Sequence, residues 1–178
     1  MHNQEFVNPQ LTELPDIEEL EFTPMSRLYP KLNLLVNLCF FLILLVITVA
    51  LQWQNWLSLP AFIAAHLDST RVGLSFAAVL IPGYCYLADR RKGYALRQHD
   101  LSYRSGLIFI SVITQPVLRI QHVELKRGPI ERKAGLASLQ VFSAGGTLHT
   151  FAIPGLPLAK AKQIRRFILE HKDITEHD

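Results

Sequence analysis

With 178 residues, 49% of them hydrophobic and only 19% charged, the chain is too apolar for one ordinary soluble domain, and a membrane protein becomes the leading class. Two cysteines and nine glycines without a period exclude a disulfide-stapled secreted module and a collagen. The net charge of +3 hides a segregation: residues 1–31 carry six acids against Arg27 and Lys31, whereas residues 89–178 carry 15 Lys and Arg against eight acids.

Residues 1–30 form an acidic arm in which Pro9, Pro15, Pro24 and Pro30 forbid a long helix. The arm is extended or partly ordered, and either docks on the basic C-terminal part or stays solvated. Leu32 to Leu51 is then apolar except for Asn33, Asn37 and Thr48, and its 20 residues cover the roughly 30 Å of bilayer hydrocarbon at about 1.5 Å per residue. A second apolar run, about 72–88, carries no charge but is shorter and contains Pro82-Gly83, so it needs flanking residues or a kink. Because the chain begins acidic and its apolar run begins late, the first span is a retained helix and not a cleaved signal.

Residues 31–92 therefore form a transmembrane hairpin. Arg27 and Lys31 precede the first span and Arg90, Arg91 and Lys92 follow the second, while the connection offers only Arg71. That bias places both termini in the cytoplasm. Trp53 and Trp56 suit the outer interface, where an indole buries its ring and keeps its N–H wet. Leu57, Leu59, Phe62, Ile63 and Leu67 form either a short helix on that surface or a hydrophobic loop packed on the spans. Cys39 and Cys85 both fall within the spans, which argues against a structural disulfide or a cysteine zinc site.

Beyond Lys92, in residues 93–178, long apolar runs give way to short alternating ones, the pattern of a small antiparallel sheet. Tyr94 and Leu96 alternate up to a turn at Gln98-His99-Asp100, and Leu101 and Tyr103 alternate after it. Leu107 to Thr114 is a β-rich run broken by Pro116, and Val117 to Arg127 is the longest strand candidate. Its apolar parity changes from Leu118 and Ile120 to Val123 and Leu125, which implies a bulge or bend near Gln121-His122. Leu136 to Phe142 pairs through Ala144-Gly145-Gly146-Thr147 with Leu148 to Ile153. After Pro154-Gly155, Pro157 opens a terminal amphipathic helix with Leu158, Ala161, Ile164, Phe167 and Ile168 on one side. The fold class is thus a membrane-anchored α+β chain, a two-helix hairpin followed by a curled sheet that the last helix stoppers.

Two membrane helices followed by Gly93-Tyr94-Ala95-Leu96, Leu101-Ser102-Tyr103-Arg104-Ser105-Gly106, Ile120-Gln121-His122-Val123, Gly135-Leu136-Ala137-Ser138-Leu139, Ala144-Gly145-Gly146 and Ile153-Pro154-Gly155 form a familiar order. Over roughly residues 30–170 the chain resembles the bacterial membrane-flanked PH-like domain family, the second of the bacterial pleckstrin-homology-like families. The resemblance implies a seven-stranded PH-like barrel with a C-terminal helix, at the inner face of a bacterial plasma membrane. Phosphoinositide binding by eukaryotic PH domains uses Lys and Arg clustered around the first hairpin. Here the tip is Gln98-His99-Asp100 with only Arg97 and Arg104 beside it, a departure from that pattern.

No catalytic signature is present. Gly145-Gly146-Thr147 sits between strand patterns without the helix that a phosphate loop requires, and the seven histidines are scattered. No cofactor, metal or nucleic acid is implied. The basic segment Lys126, Arg127, Arg132 and Lys133, centred on Ile130, is a loop that either meets a membrane or partner surface or is simply solvated. Two functions follow: a noncatalytic membrane module engaging a protein partner or another copy, or a sensor of anionic lipid headgroups through that loop. A transport pathway would need a buried ionisable residue, which neither span offers.

Overall fold

The computed structural model describes residues 20–54, 60–143 and 151–176, with side chains for all of these except 63–64 and 171–176. Most of the acidic arm, Trp56 and the 144–147 turn lie outside the described residues.

Two helices, α1 (Leu28–Trp53) and α2 (Ala61–Arg91), pack side by side as a hairpin. Their 26 and 31 residues reach about 39 and 46 Å at the helical rise, more than the hydrocarbon needs. Apolar side chains such as Leu42, Ile43, Val46, Phe76 and Val79 stay exposed along both, as lipid contact requires and water would not permit. The second helix extends the apolar run at 72–88 with flanking residues at both ends. It starts at Ala61, so Phe62 and Leu67 belong to its first turns and not to a separate surface helix or a loop. Polar residues there hold the helix locally: Thr70 Oγ1 donates to the His66 carbonyl at 2.8 Å, and Arg71 pairs with Asp68 at 3.0 Å. Arg71 also donates to Gln52 at the far end of α1, tying the two helix ends together. Pro82 does not end α2; its side chain is buried and the helix runs on for nine more residues.

Behind the hairpin stand two antiparallel sheets. The first has the order β1-β2-β3-β4, formed by Thr23–Pro24, Gly93–Leu96, Asp100–Ser105 and Ser111–Pro116. The second has the order β5-β6-β7, formed by Ile120–Lys126, Leu136–Ser143 and Phe151–Pro157. A short α3 (Pro129–Lys133) lies between β5 and β6, and α4 (Leu158–Glu176) follows β7. Seven strands are present among the described residues, but only six follow the hairpin, because β1 comes from ahead of α1. The last residues of the arm therefore dock on the domain.

Leu101, Leu139, Val141, Ile153 and Leu156 are fully buried between the sheets, and α4 closes the core with Ala161, Ile164 and Ile168 at helical spacing. Met25 from the lead-in joins the same cluster. Tyr103 stacks on Phe151 across the two sheets at 6.0 Å, and the buried Ser102 hydroxyl is satisfied by Thr114 at 2.8 Å.

Four local readings need correction. Leu107 to Ile110 is not strand: Gly106, at φ +106°, turns the chain out, and β4 starts only at Ser111. Val117–Arg119 is a 3-10 turn, so β5 starts at Ile120, and its register shifts between Ile120 and His122, where the parity changes. The basic 126–133 segment is not an open loop; Pro129 fits the first turn of α3, whose Glu131 accepts from the Gly128 N–H at 2.8 Å. Pro157 is the last residue of β7 and not the first of the helix. That strand passes through Pro154-Gly155 by an irregular register opposite Ala137 to Leu139.

Candidate functional site

The antiparallel register decides which loops meet the hairpin. β2 leaves the end of α2 after Lys92, and β3 returns beside it, pairing Arg104 with Gly93. The 106–110 connection thus lies at the hairpin end of the domain, and the turn at 98–99 lies at the opposite end. At that remote turn Arg97 is held by Asp100 at 2.8 Å, so the place where eukaryotic PH domains gather cations for inositol phosphates is distant and internally paired.

The hairpin and the domain are joined by a dense contact. Thr23 and Pro24 pair with Tyr94 and Gly93, and the Ser26 N–H donates to the Gly155 carbonyl at 3.2 Å. Gly93 sits in a close approach: an added Cβ would stand 3.0 Å from the Phe22 Cβ, which would have to shift by a few tenths of an ångström. Gly155, at φ +65°, lies under Tyr29; an added Cβ would fall 2.3 Å from the ring. Asp89, 3% exposed, bonds Lys92 at 2.7 Å and accepts from Asn33 Nδ2 at 2.6 Å. Asn37 continues this polar seam by donating to the Asn33 carbonyl at 2.8 Å. Of the two asparagines that interrupt the first span, Asn33 thus bonds across the hairpin to α2, and Asn37 is satisfied within α1 by Asn33. Burial pulls the Lys92 ammonium down, but the bond to Asp89 and the fields of Tyr29 and Asp89 outweigh it, leaving Lys92 above its ordinary value. Burial also raises Tyr103 and Tyr94.

The five cations expected to orient the hairpin, Arg27, Lys31, Arg90, Arg91 and Lys92, all stand at this one end. Four of them are exposed, whereas Lys92 is half-buried in the seam and lies over the Tyr29 ring at 5.5 Å. Trp53 is fully open at the other end of α1. Beside the end of α2, Arg90, Arg91 and Arg104 line a cavity of about 350 Å³ together with Gly106 and Ile110. The sequence offers little signal for this grouping, since Arg104 is 13 positions from Arg91 and only the β2–β3 register brings it back.

The segment proposed as a membrane or partner surface lies between β5 and β6. Arg127 is occupied structurally: its Nε donates to the Leu136 carbonyl at 3.0 Å and its Nη2 to the Arg132 carbonyl at 3.3 Å. Lys126, Arg132 and Lys133 point to solvent, with Ile130 exposed among them. On the opposite flank, where β5 meets α4, a groove of about 400 Å³ is lined by Leu125 and Leu169 with Lys162, Arg165, Arg166 and Glu170 around them. β5 is an edge strand, with β6 as its one strand neighbour among the described residues and α4 packed against it. Among the described residues no cluster of His, Cys, Asp and Glu is arranged to hold a metal ion.

The model of the family described as Bacterial PH domain matches residues 14–172 and so takes in the lead-in, both long helices, the two sheets and most of α4. The chain is similar to the UPF0699 transmembrane protein YdbS of Bacillus subtilis (strain 168), at 25% identity over 147 residues that cover 82% of this chain and 87% of that protein. No solved structure matches it. An apolar hairpin whose lead-in completes the first sheet of a PH-like fold is the unit this match spans, and the chain belongs to the bacterial PH domain family.

Proposed function

We propose that the protein is a noncatalytic membrane-anchored interaction module, with its PH-like domain and both termini on the cytoplasmic side of a bacterial inner membrane. The concentration of Arg27, Lys31, Arg90, Arg91 and Lys92 at one end of the hairpin supports that orientation. The junction supports the role: a domain fixed by β1 and the Asp89 seam presents its outer surfaces at a constant height and angle to the bilayer. Tethering in a plane raises effective concentration, so a modest contact is enough.

The observation that carries the reading is the edge position of β5, which has no second strand neighbour among the described residues, beside the groove lined by Leu125 and α4. An extended segment of a partner protein adds there as a fourth strand, placing alternate apolar side chains over Leu125 and Leu169. Three cations against one acid at the rim select an acidic segment. A photo-crosslinking residue in place of Leu169, in the full chain in native membranes, tests this. The expected result is a discrete adduct that disappears in the Arg165→Glu/Arg166→Glu double variant, together with competition by the captured acidic segment as a peptide. Adducts that persist through the charge reversal, or a chain that stays uncrosslinked, would refute it. Adducts with a second copy of this chain would replace the partner by self-assembly.

A further inference from the structure

The domain carries a second feature that an interaction groove does not explain. Ile108, Phe109 and Ile110 are 71, 88 and 62% exposed, a run of three large apolar side chains at the tip of the β3–β4 connection. Its shape is built in. Gly106 has φ +106°, and a Cβ there would meet the Phe109 carbonyl oxygen at 1.9 Å, so the projection depends on that glycine. Strand direction puts this tip at the hairpin end of the domain, next to the last turn of α2. Water is a poor solvent for such a tip, and the headgroup and upper acyl region of a bilayer is a good one.

Immediately behind the tip lies the cavity edged by Arg90, Arg91 and Arg104. None of the three forms an ion pair among the described residues. Arg90 and Arg104 instead lie against aromatic rings, over Tyr86 at 5.9 Å and over Phe22 at 4.5 Å. Those contacts orient the guanidinium groups without neutralising them. The acids nearest in sequence are engaged elsewhere: Asp89, beside Arg90 and Arg91, bonds Lys92 and Asn33, and Asp100, four positions before Arg104, pairs with Arg97. Three guanidinium groups that form no ion pair among the described residues, around a cavity of about 350 Å³, are suited to a phosphate oxyanion, which arginine grips with paired N–H donors.

From these two observations we infer that the pocket of Arg90, Arg91 and Arg104 holds the phosphodiester of an anionic phospholipid from the adjoining leaflet, with Ile108, Phe109 and Ile110 inserted beside its acyl chains. The source is a lipid and not a soluble phosphate, because the cavity opens at the end of a membrane helix and an apolar wedge adjoins it. The inference is independent of the β5 groove. It places lipid recognition at the α2–β3 junction, while the 126–133 turn contributes long-range attraction through Lys126, Arg132 and Lys133.

Native mass spectrometry of the full chain in detergent, titrated with phosphatidylglycerol, phosphatidylcholine or inorganic phosphate, tests the pocket. The expected result is one retained phosphatidylglycerol, bound at least tenfold more tightly than phosphatidylcholine, with inorganic phosphate failing to displace it at millimolar concentration. Arg104→Gln and, separately, Arg90→Gln each weaken it about tenfold, whereas Lys126→Gln/Arg132→Gln/Lys133→Gln weakens it less than threefold. Equal retention of the two lipids, displacement by inorganic phosphate, or an equal loss in the triple variant would overturn the assignment. A nitroxide on Phe109→Cys, in a Cys39→Ala/Cys85→Ala background in phosphatidylglycerol-containing nanodiscs, reads the wedge without depending on Arg104. It is expected below the phosphate plane, and water-like accessibility would overturn insertion.

Discussion

Replacing Gly155 by alanine tests the junction at its tightest point. The residue sits at φ +65°, so any side chain meets a left-handed backbone that costs about 1 kcal/mol relative to glycine. The added Cβ also falls 2.3 Å from Tyr29 Cγ, 2.5 Å from its Cβ and 2.6 Å from its Cδ2. These atoms are near the α1 backbone and cannot swing clear, so overpacking adds about 1–3 kcal/mol. The total is about 3 kcal/mol, enough to open the lead-in about a hundredfold more often. Gly135 is the matched control: its φ is +69° but nothing stands within 4 Å, so Gly135→Ala bears only the backbone cost of about 1 kcal/mol. Amide exchange read by mass spectrometry on the full chain in detergent measures both, through the peptide containing Ser26, whose N–H is bonded to the Gly155 carbonyl. Tyr29→Ala in the Gly155→Ala background should recover the overpacking share. Equal protection in Gly155→Ala and Gly135→Ala would refute the claim that Tyr29 packing, and not glycine geometry alone, locks the hairpin to the domain.

Removing the Asp89 carboxylate with alanine leaves Lys92 and Asn33 without their partner in a largely buried seam, at a cost of about 2–3 kcal/mol; a clear drop in melting temperature in detergent is expected, and no change would remove the seam from the stability account. Lys92, Tyr94 and Tyr103 all have folded-state values raised above the ordinary 10.5 and 10.0, so each contributes stability that is complete below those values and is lost as pH rises through the folded ones. The domain is therefore expected to loosen above about pH 10, followed by circular dichroism, and Lys92→Met should flatten part of that dependence. In the core, Leu139→Ala at a fully buried position should destabilise by about 2–5 kcal/mol, whereas Leu118→Ala at an exposed one should stay within about 0.5 kcal/mol, both read by thermal unfolding.

Features carried by local pattern were legible in the sequence. The first span, the β2–β3 hairpin around residues 98–99, the parity change in β5 and the buried face of α4 follow from residue periodicity alone. The start of α2 was less visible because His66, Asp68 and Arg71 interrupt the apolar run, although a helix longer than the hydrocarbon can carry polar turns beyond it. Strand β1 left almost no trace: two residues, one of them proline, become strand only because the edge of β2 is there to pair with them. Leu107 to Ile110 shows the opposite failure, since β-branched and aromatic residues favour a strand by propensity while Gly106 diverts the chain outward. The Arg90, Arg91 and Arg104 pocket needed the register, and Arg90-Arg91 taken alone is a topology signal.

Orientation is tested most directly by paired reporters, one fused after Asp178 and one inserted in the connection at residues 55–59, each in a version that is active only in the cytoplasm and a version active only after export. The expected result is cytoplasmic activity after Asp178 and exported activity in the connection. Exported activity after Asp178, or cytoplasmic activity at both positions, would contradict a hairpin that crosses the bilayer and returns its PH-like domain to the side from which the chain entered.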